Sequence, residues 1–327
     1  MLSFHAAGKD GIEVAADAKT IPTGVNWIDA VRPDPREIAF LERTLGTKVP
    51  TLETLSEIET SSRLRSEKDW LHLSIPMIHR KDGFMPALTP LGFILSKDVL
   101  LTVRFEHMKA FDDVPEILSR CPTQAGGPSA LIVILEVIVD HAADVLEGVG
   151  SDLDCLSEEI FRTNAANVRR HKPREDGEQM RLVLRKVGRN GDLTSKIEDM
   201  LLGMARMAPY VAANAAPYLE AGIRAKLKSL QRDIASLNDY ERSLTEKIQL
   251  LLDATLGLTN INQNDIFRIL TVVSVIGIPP TFVASMYGMN FKNIPEYDWS
   301  YGYQFGLLLI ALSAIIPIIW FKRRGWW

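Results

Sequence analysis

The sequence is short of cysteine, of net charge and, toward its C-terminal end, of charged residues altogether, and each shortage excludes something. Two cysteines, Cys121 and Cys155, in 327 residues cannot form a disulfide framework, and neither belongs to a CxxC pair, which fits a reducing compartment. A formal net charge of −4 leaves no basic surplus to displace counterions from a phosphate backbone, so no nucleic-acid partner is expected. No GxxxxGKS or GxxxxGKT stretch is there to cradle nucleotide phosphates, so no step driven by such a loop is expected. The six histidines supply no HxxxH pair, and no nucleophile stands at a motif spacing from a base, so neither an enzyme nor an organic cofactor is expected. The opening "MLSFHAAGKDGIEVAADAKT" lacks the basic and apolar regions of a cleavable export signal, which keeps the bulk of the chain on the cytosolic side.

The 46 % hydrophobic content is enough for a real core, and the order of patterns divides the chain. Residues 1–125 read as a compact cytosolic domain of α+β class. Within it "DPREIAFLERTLG" (34–46) has Asp34 as cap, Pro35 at the first helical position and Gly46 as a stop. "WLHLSIPMI" (70–78) alternates as a strand does, and "GFILSKDVLLTVRFE" (92–106) predicts two strands turning at Ser96 to Asp98. Residues 126–218 follow a Pro and Gly cluster and carry apolar residues at helical spacing over 131–161 and roughly 178–208. The intervening "NVRRHKPREDG" reads as a solvated turn. From Leu219 no proline occurs until Pro279, which permits one helix of about 60 residues, on the order of 90 Å long, with 219–268 as a stalk. Asp140, His141, Asp144 and Glu147 cluster on the first long helix and read as a solvent-facing patch rather than a metal site.

Between Ile269 and Phe321 the only charged residues are Lys292, Glu296 and Asp298. On either side of them lie apolar runs at 269–288 and 302–321, each about the ~20 residues a helix needs to cross a bilayer. They predict a membrane hairpin with a short outer loop at 289–301. The tail 322–327, within "FKRRGWW", is basic and Trp-ended, and Trp299, Tyr301 and Tyr303 mark the other interface. Positive-inside bias places both termini in the cytoplasm.

Along the first run, Asn260, Asn264, Phe267, Thr271, Ser274, Ile278, Thr281 and Ser285 alternate in steps of four and three, and Asp253 lies one heptad further back. Small polar residues often pack between membrane helices, with Ser and Thr bonding to their own backbone. Here the polar stripe continues beyond the span through Asn264, Asn260 and Asp253, which predicts a wet path shared by several copies, since one hairpin cannot enclose a channel. Phe267 and Ile278, with Leu270 beside the stripe, are candidate hydrophobic constrictions.

"YGMNF" at the end of the first run, followed by Pro295 and Glu296, an aromatic belt, a second span and a basic tail, resembles the CorA family of magnesium transporters. The short loops and lack of a targeting peptide point to a bacterial inner membrane, and the resemblance implies a homopentamer with the first spans around a central pore above a funnel-shaped cytosolic domain. It also implies Mg2+ as transported and regulatory ion, with cobalt or nickel as further cargo. By similarity Gly288, Met289 and Asn290 form the outer selectivity mouth, where Asn290 meets Mg2+ through its water shell. Glu296 and Asp298 would gather cations there. Acidic residues between cytosolic domains hold regulatory magnesium in the family. The family's usual stalk carboxylate position is occupied here by Ser229, so those sites stay unassigned, and Asp233, Asp239 and Glu241 read as solvated stalk charge. The competing readings are a zinc transporter of the same architecture, whose loop usually varies the position of Met289, and a non-conducting membrane scaffold.

Overall fold

The computed structural model describes residues 1–6, 9–12, 20–57, 59, 63–79, 86–120, 126–167, 173–290 and 295–326. By contact they divide into two units, Met1–Ala166 with Val183–Leu251, and Asn167–Leu182 with Leu252–Trp327.

In the first unit seven strands form a single mixed sheet. They are β1 (Leu2–Ala6), β2 (Lys9–Ile12), β3 (Val25–Val31), β4 (Leu64–Glu67), β5 (Trp70–His79), β6 (Ala87–Leu95) and β7 (Leu100–Arg104), in the order β2-β1-β3-β7-β6-β5-β4. Only β3 and β7 run parallel; the other neighbours are antiparallel. The turn from β6 to β7 closes where Ser96 accepts from the Val99 amide through its hydroxyl at 3.1 Å, a local bond of the kind that favours serine in turns. Helix α1 (Pro35–Leu45) starts at a reciprocal cap: Asp34 Oδ1 accepts from the Arg36 and Glu37 amides, both at 2.8 Å, while Glu37 Oε2 accepts from the Asp34 amide at 2.9 Å. The cap aims the helix so that Phe40 and Leu41 join Phe4, Ile28, Leu101 and Val103 in one core cluster, which also takes in Leu55 of the single turn α2 (Leu52–Leu55).

Because strand side chains alternate, Trp27, Asp29, Thr102 and Arg104 share the opposite sheet face. There the Trp27 indole donates to Thr102 Oγ1 at 3.0 Å, Thr102 donates to Asp29 Oδ1 at 2.7 Å, and Arg104 Nη2 donates to Asp29 Oδ2 at 2.8 Å. The Arg104 guanidinium also stands 4.8 Å from the centre of the Phe111 ring. Asp29 and Arg104 are both buried, so removing either partner strands the other's charge, at a cost of about 3–5 kcal/mol. No sequence pattern announces this chain of bonds.

A short helix, α3 (Val114–Ser119), leads into α4 (Gly127–Asn167) and α5 (Pro173–Asn214). Of the expected turn at 167–177, residues 168–172 lie outside the described ones; Asn167 belongs to α4 and residues 173–177 to α5. Asp140, Asp144 and Glu147 are exposed on α4 and His141 is half-buried.

Helix α6 (Ala221–Tyr287) spans 67 residues and continues through Pro279 and Pro280. In its part within the first unit Ile223, Leu227, Leu230, Ile234, Leu244 and Ile248 are buried at helical spacing. Glu241 occupies the same seam and is 2 % exposed, with its Oε1 accepting from the Thr245 hydroxyl at 2.8 Å. The expectation of solvated stalk charge therefore holds for Asp233 and Asp239, which are exposed, and fails for Glu241, whose heptad position turns it inward. In the second unit α7 (Gly302–Arg323) follows, and it and α6 are both long and apolar enough to cross a membrane.

Candidate functional site: a polar seam and the turn that ends it

The stripe expected along the first span lies on continuous α-helix, so its four and three spacing is realised as one face of α6. Asp253, Asn260, Asn264, Phe267, Leu270, Thr271, Ile278, Thr281 and Ser285 are all exposed in the single chain, and Ser274 is half-buried. Among the described residues the stripe is largely uncovered: Phe267 is 63 % and Ile278 65 % exposed, although both are large and apolar. Thr271 Oγ1 donates to the Phe267 carbonyl at 2.7 Å and Thr281 Oγ1 to the Gly277 carbonyl at 2.8 Å. This backbone bonding is the ordinary way for a hydroxyl to sit in a membrane helix, and it has a chemical consequence. A threonine whose proton is committed to its own helix offers the outside only oxygen lone pairs, so it accepts and does not donate. Such a surface suits the water shell of a cation, whose hydrogens point outward.

At the end of α6 the Gly288 amide donates to the Ala284 carbonyl at 3.0 Å and the Met289 amide to the Met286 carbonyl at 3.4 Å, after which Asn290 leaves the helix exposed. Residues 291–294, Lys292 among them, lie outside the described residues. The chain resumes in a 3-10 turn at Pro295–Asp298, with Glu296 half-buried and Asp298 exposed. It then closes on the start of α7, where the Gly302 amide donates to the Trp299 carbonyl at 3.1 Å. A Cβ on Gly302 would lie 2.1 Å from the Glu296 carbonyl oxygen, so only glycine lets the turn close this tightly. The Trp299 and Phe305 rings meet edge to face at 5.8 Å, and Tyr301 and Tyr303 are exposed, the pattern of an interfacial belt.

Among the described residues no three His, Cys, Asp or Glu side chains converge as a cation site, so no residue of the single chain is assigned to regulatory metal. The sequence reading also misses how the tail ends. Gly325 adopts a left-handed φ of 69°, and the Trp326 amide reaches back to the Phe321 carbonyl at 3.1 Å. A glycine four residues after Phe321, the last apolar position of the span, was the available signal.

A family model described as CorA-like Mg2+ transporter protein matches residues 22–323. The chain belongs to the CorA family of magnesium transporters. It is 32 % identical over 302 residues to the magnesium transport protein CorA of Pasteurella multocida, covering 92 % of this chain and 91 % of that one. The Escherichia coli K12 CorA is 30 % identical over the same shares. Among solved structures, the complete CorA of Methanocaldococcus jannaschii superimposes with a TM-score of 0.77 at 20 % identity, covering 100 % of this chain and 99 % of that one. The CorA fold thus accounts for both the sheet domain and the helices that carry the seam, and the chain is a transporter rather than an enzyme.

Proposed function

We propose that the protein is a passive pathway for hydrated divalent cations, with Mg2+ as its cargo, formed where five copies bring their α6 seams around one axis. The observation that carries this reading is the stripe itself: hydroxyls at seam spacing through an apolar span, continued below it by the amides of Asn264 and Asn260, all exposed in the single chain except the half-buried Ser274, with Asn290 beyond its outer end. Thr271 and Thr281 already donate to their own helix, but hydrocarbon offers nothing to the lone pairs that remain, and water around a shared axis does.

Magnesium surrenders its octahedral water shell reluctantly, so a first encounter site should bind the shell rather than the ion. Five neutral Asn290 amide oxygens, helped by the Gly288 carbonyls, do that without a charge that would hold the ion back. Thr281, Ser274 and Thr271 then offer acceptors along the span, with Ile278, Leu270 and Phe267 as the narrow apolar levels, and Asn264, Asn260 and Asp253 receive the ion at the inner end. A divalent ion falling through 100 mV gains roughly 4.6 kcal/mol, so inward movement needs no nucleotide. The basic tail and the two spans support a plasma-membrane protein with cytoplasmic termini. Inhibition by internal magnesium, and passage of cobalt or nickel, follow from family resemblance and belong to the same proposal.

The test is uptake by purified protein in liposomes holding a magnesium-sensitive dye, with an inside-negative potential and internal magnesium varied. Asn290→Ala is expected to lower the initial rate at least tenfold, and Asn290→Asp to slow passage by holding the ion more tightly. Normal uptake by Asn290→Ala would end the proposal. Zinc uptake that exceeds magnesium uptake and ignores hexaammine cobalt would replace the cargo.

A further inference from the structure

At the inner end of the first span a groove of about 750 Å³ is lined by Arg268, Ile269, Val273, Ile276 and Gly277 of α6 and by Trp326 of the tail. The tail is built to reach it. Arg324, Gly325 and Trp326 donate their amides to the carbonyls of Trp320, Lys322 and Phe321 at 3.1, 3.3 and 3.1 Å, which turns the chain back on α7. Trp326 stacks on Phe321 with ring centres 5.5 Å apart, and Phe321 is 1 % exposed, so the turn is anchored.

The groove straddles a chemical boundary. From Ile269 to Phe291 the sequence has no charged residue, while just before it Arg268 faces Asp265 at 3.8 Å. Lys322, Arg323 and Arg324 stand within four residues of Trp326, and no acidic residue follows Asp298. Asp265, which also lines the groove, is thus already met by Arg268, and among the described residues none of the tail's three cations faces an acid, Arg324 lying over the Trp320 ring at 5.1 Å. Apolar walls, an aromatic edge and surplus positive charge at one membrane level are what a lipid with an acyl chain and an anionic head would meet.

We propose that this groove binds an anionic glycerophospholipid, with an acyl chain along Ile269, Val273 and Ile276 and the phosphate held by the basic tail. The site rests on the membrane reading above, but its readout is lipid binding, so a failed flux assay and a failed lipid assay are separate results. A second copy of the chain seated in the groove, or unselective annular lipid, are the rival occupants.

Full-length protein in nonionic detergent, titrated with dioleoyl phosphatidylglycerol or dioleoyl phosphatidylcholine and weighed by native mass spectrometry, decides between them. Phosphatidylglycerol is expected to be retained at least fivefold more. The double change Arg323→Gln, Arg324→Gln should erase that preference. Gly277→Leu should lower phosphatidylglycerol retention through the acyl side, since a Cβ there meets nothing within 4 Å and its side chain would fill the groove. Equal retention of the two lipids, or a preference that survives both variants, overturns the proposal. So does displacement by millimolar glycerol 3-phosphate, which has the head but no chain. Cross-linking of Val273→Cys to a neighbouring copy whether or not phosphatidylglycerol is present would seat a protein there instead.

Discussion

A buried acid on an apolar seam is costly unless it stays neutral, and Glu241 is such a residue. Burial lifts its carboxyl above the usual range and Glu198 adds to the lift, while the Thr245 hydroxyl and Arg242 pull the other way. An acid whose folded value is raised contributes stability that is fully present below the ordinary carboxyl range and is lost as pH rises through the folded value. Glu241→Gln keeps an acceptor for Thr245 and removes the charge. It is therefore expected to raise the thermal unfolding midpoint of the detergent-solubilised protein by a few degrees at pH 8, and to give no gain at pH 4. A lower midpoint at pH 8 would instead mean that the ionised carboxylate is a needed partner in the assembled protein.

Helix α6 carries the element-scale question, which is whether its polar stripe faces water. In a background with Cys121 and Cys155 changed to Ser, Thr271→Cys, Ser274→Cys and Thr281→Cys are expected to react with a charged thiol reagent in membranes. Ile276→Cys, roughly 200° round the helix from Ser274, is expected to stay protected. Labelling of Ile276→Cys alone would turn the seam toward lipid. Elements that signal locally were legible without coordinates: α1 through Asp34, Pro35 and Gly46, and β5 to β7 through alternation and a serine turn. Strands β1 and β2 were not, because "LSFHA" and "KDGI" have little pattern of their own and are held by long-range pairing, Phe4 opposite Ile28 for instance. The seam could be read because the helical period alone sets its face. Glu241 was misread because an isolated acid in a helix is usually solvated, and only its place in the buried heptad says otherwise.

At the scale of the assembly proposed here, small terms per copy multiply. Glu296 and Asp298 against Lys292 leave one net negative charge on each loop, gathered around one mouth. Changing both acids to amides is expected to cut initial magnesium uptake severalfold at ~0.01 M salt, where the screening length is about 30 Å, and to matter little at 0.15 M, where it is about 8 Å. An effect unchanged by salt would assign these acids a contact role instead of a long-range one. The paired prolines within α6 have a different kind of reach. Lacking N–H groups, Pro279 and Pro280 leave the carbonyls of Val275 and Ile276 without their helical donors, inside a span where hydrocarbon supplies none. Those oxygens belong to the backbone, so replacing the side chains at 275 and 276 leaves both dipoles in place, and only the loss of a proline silences one.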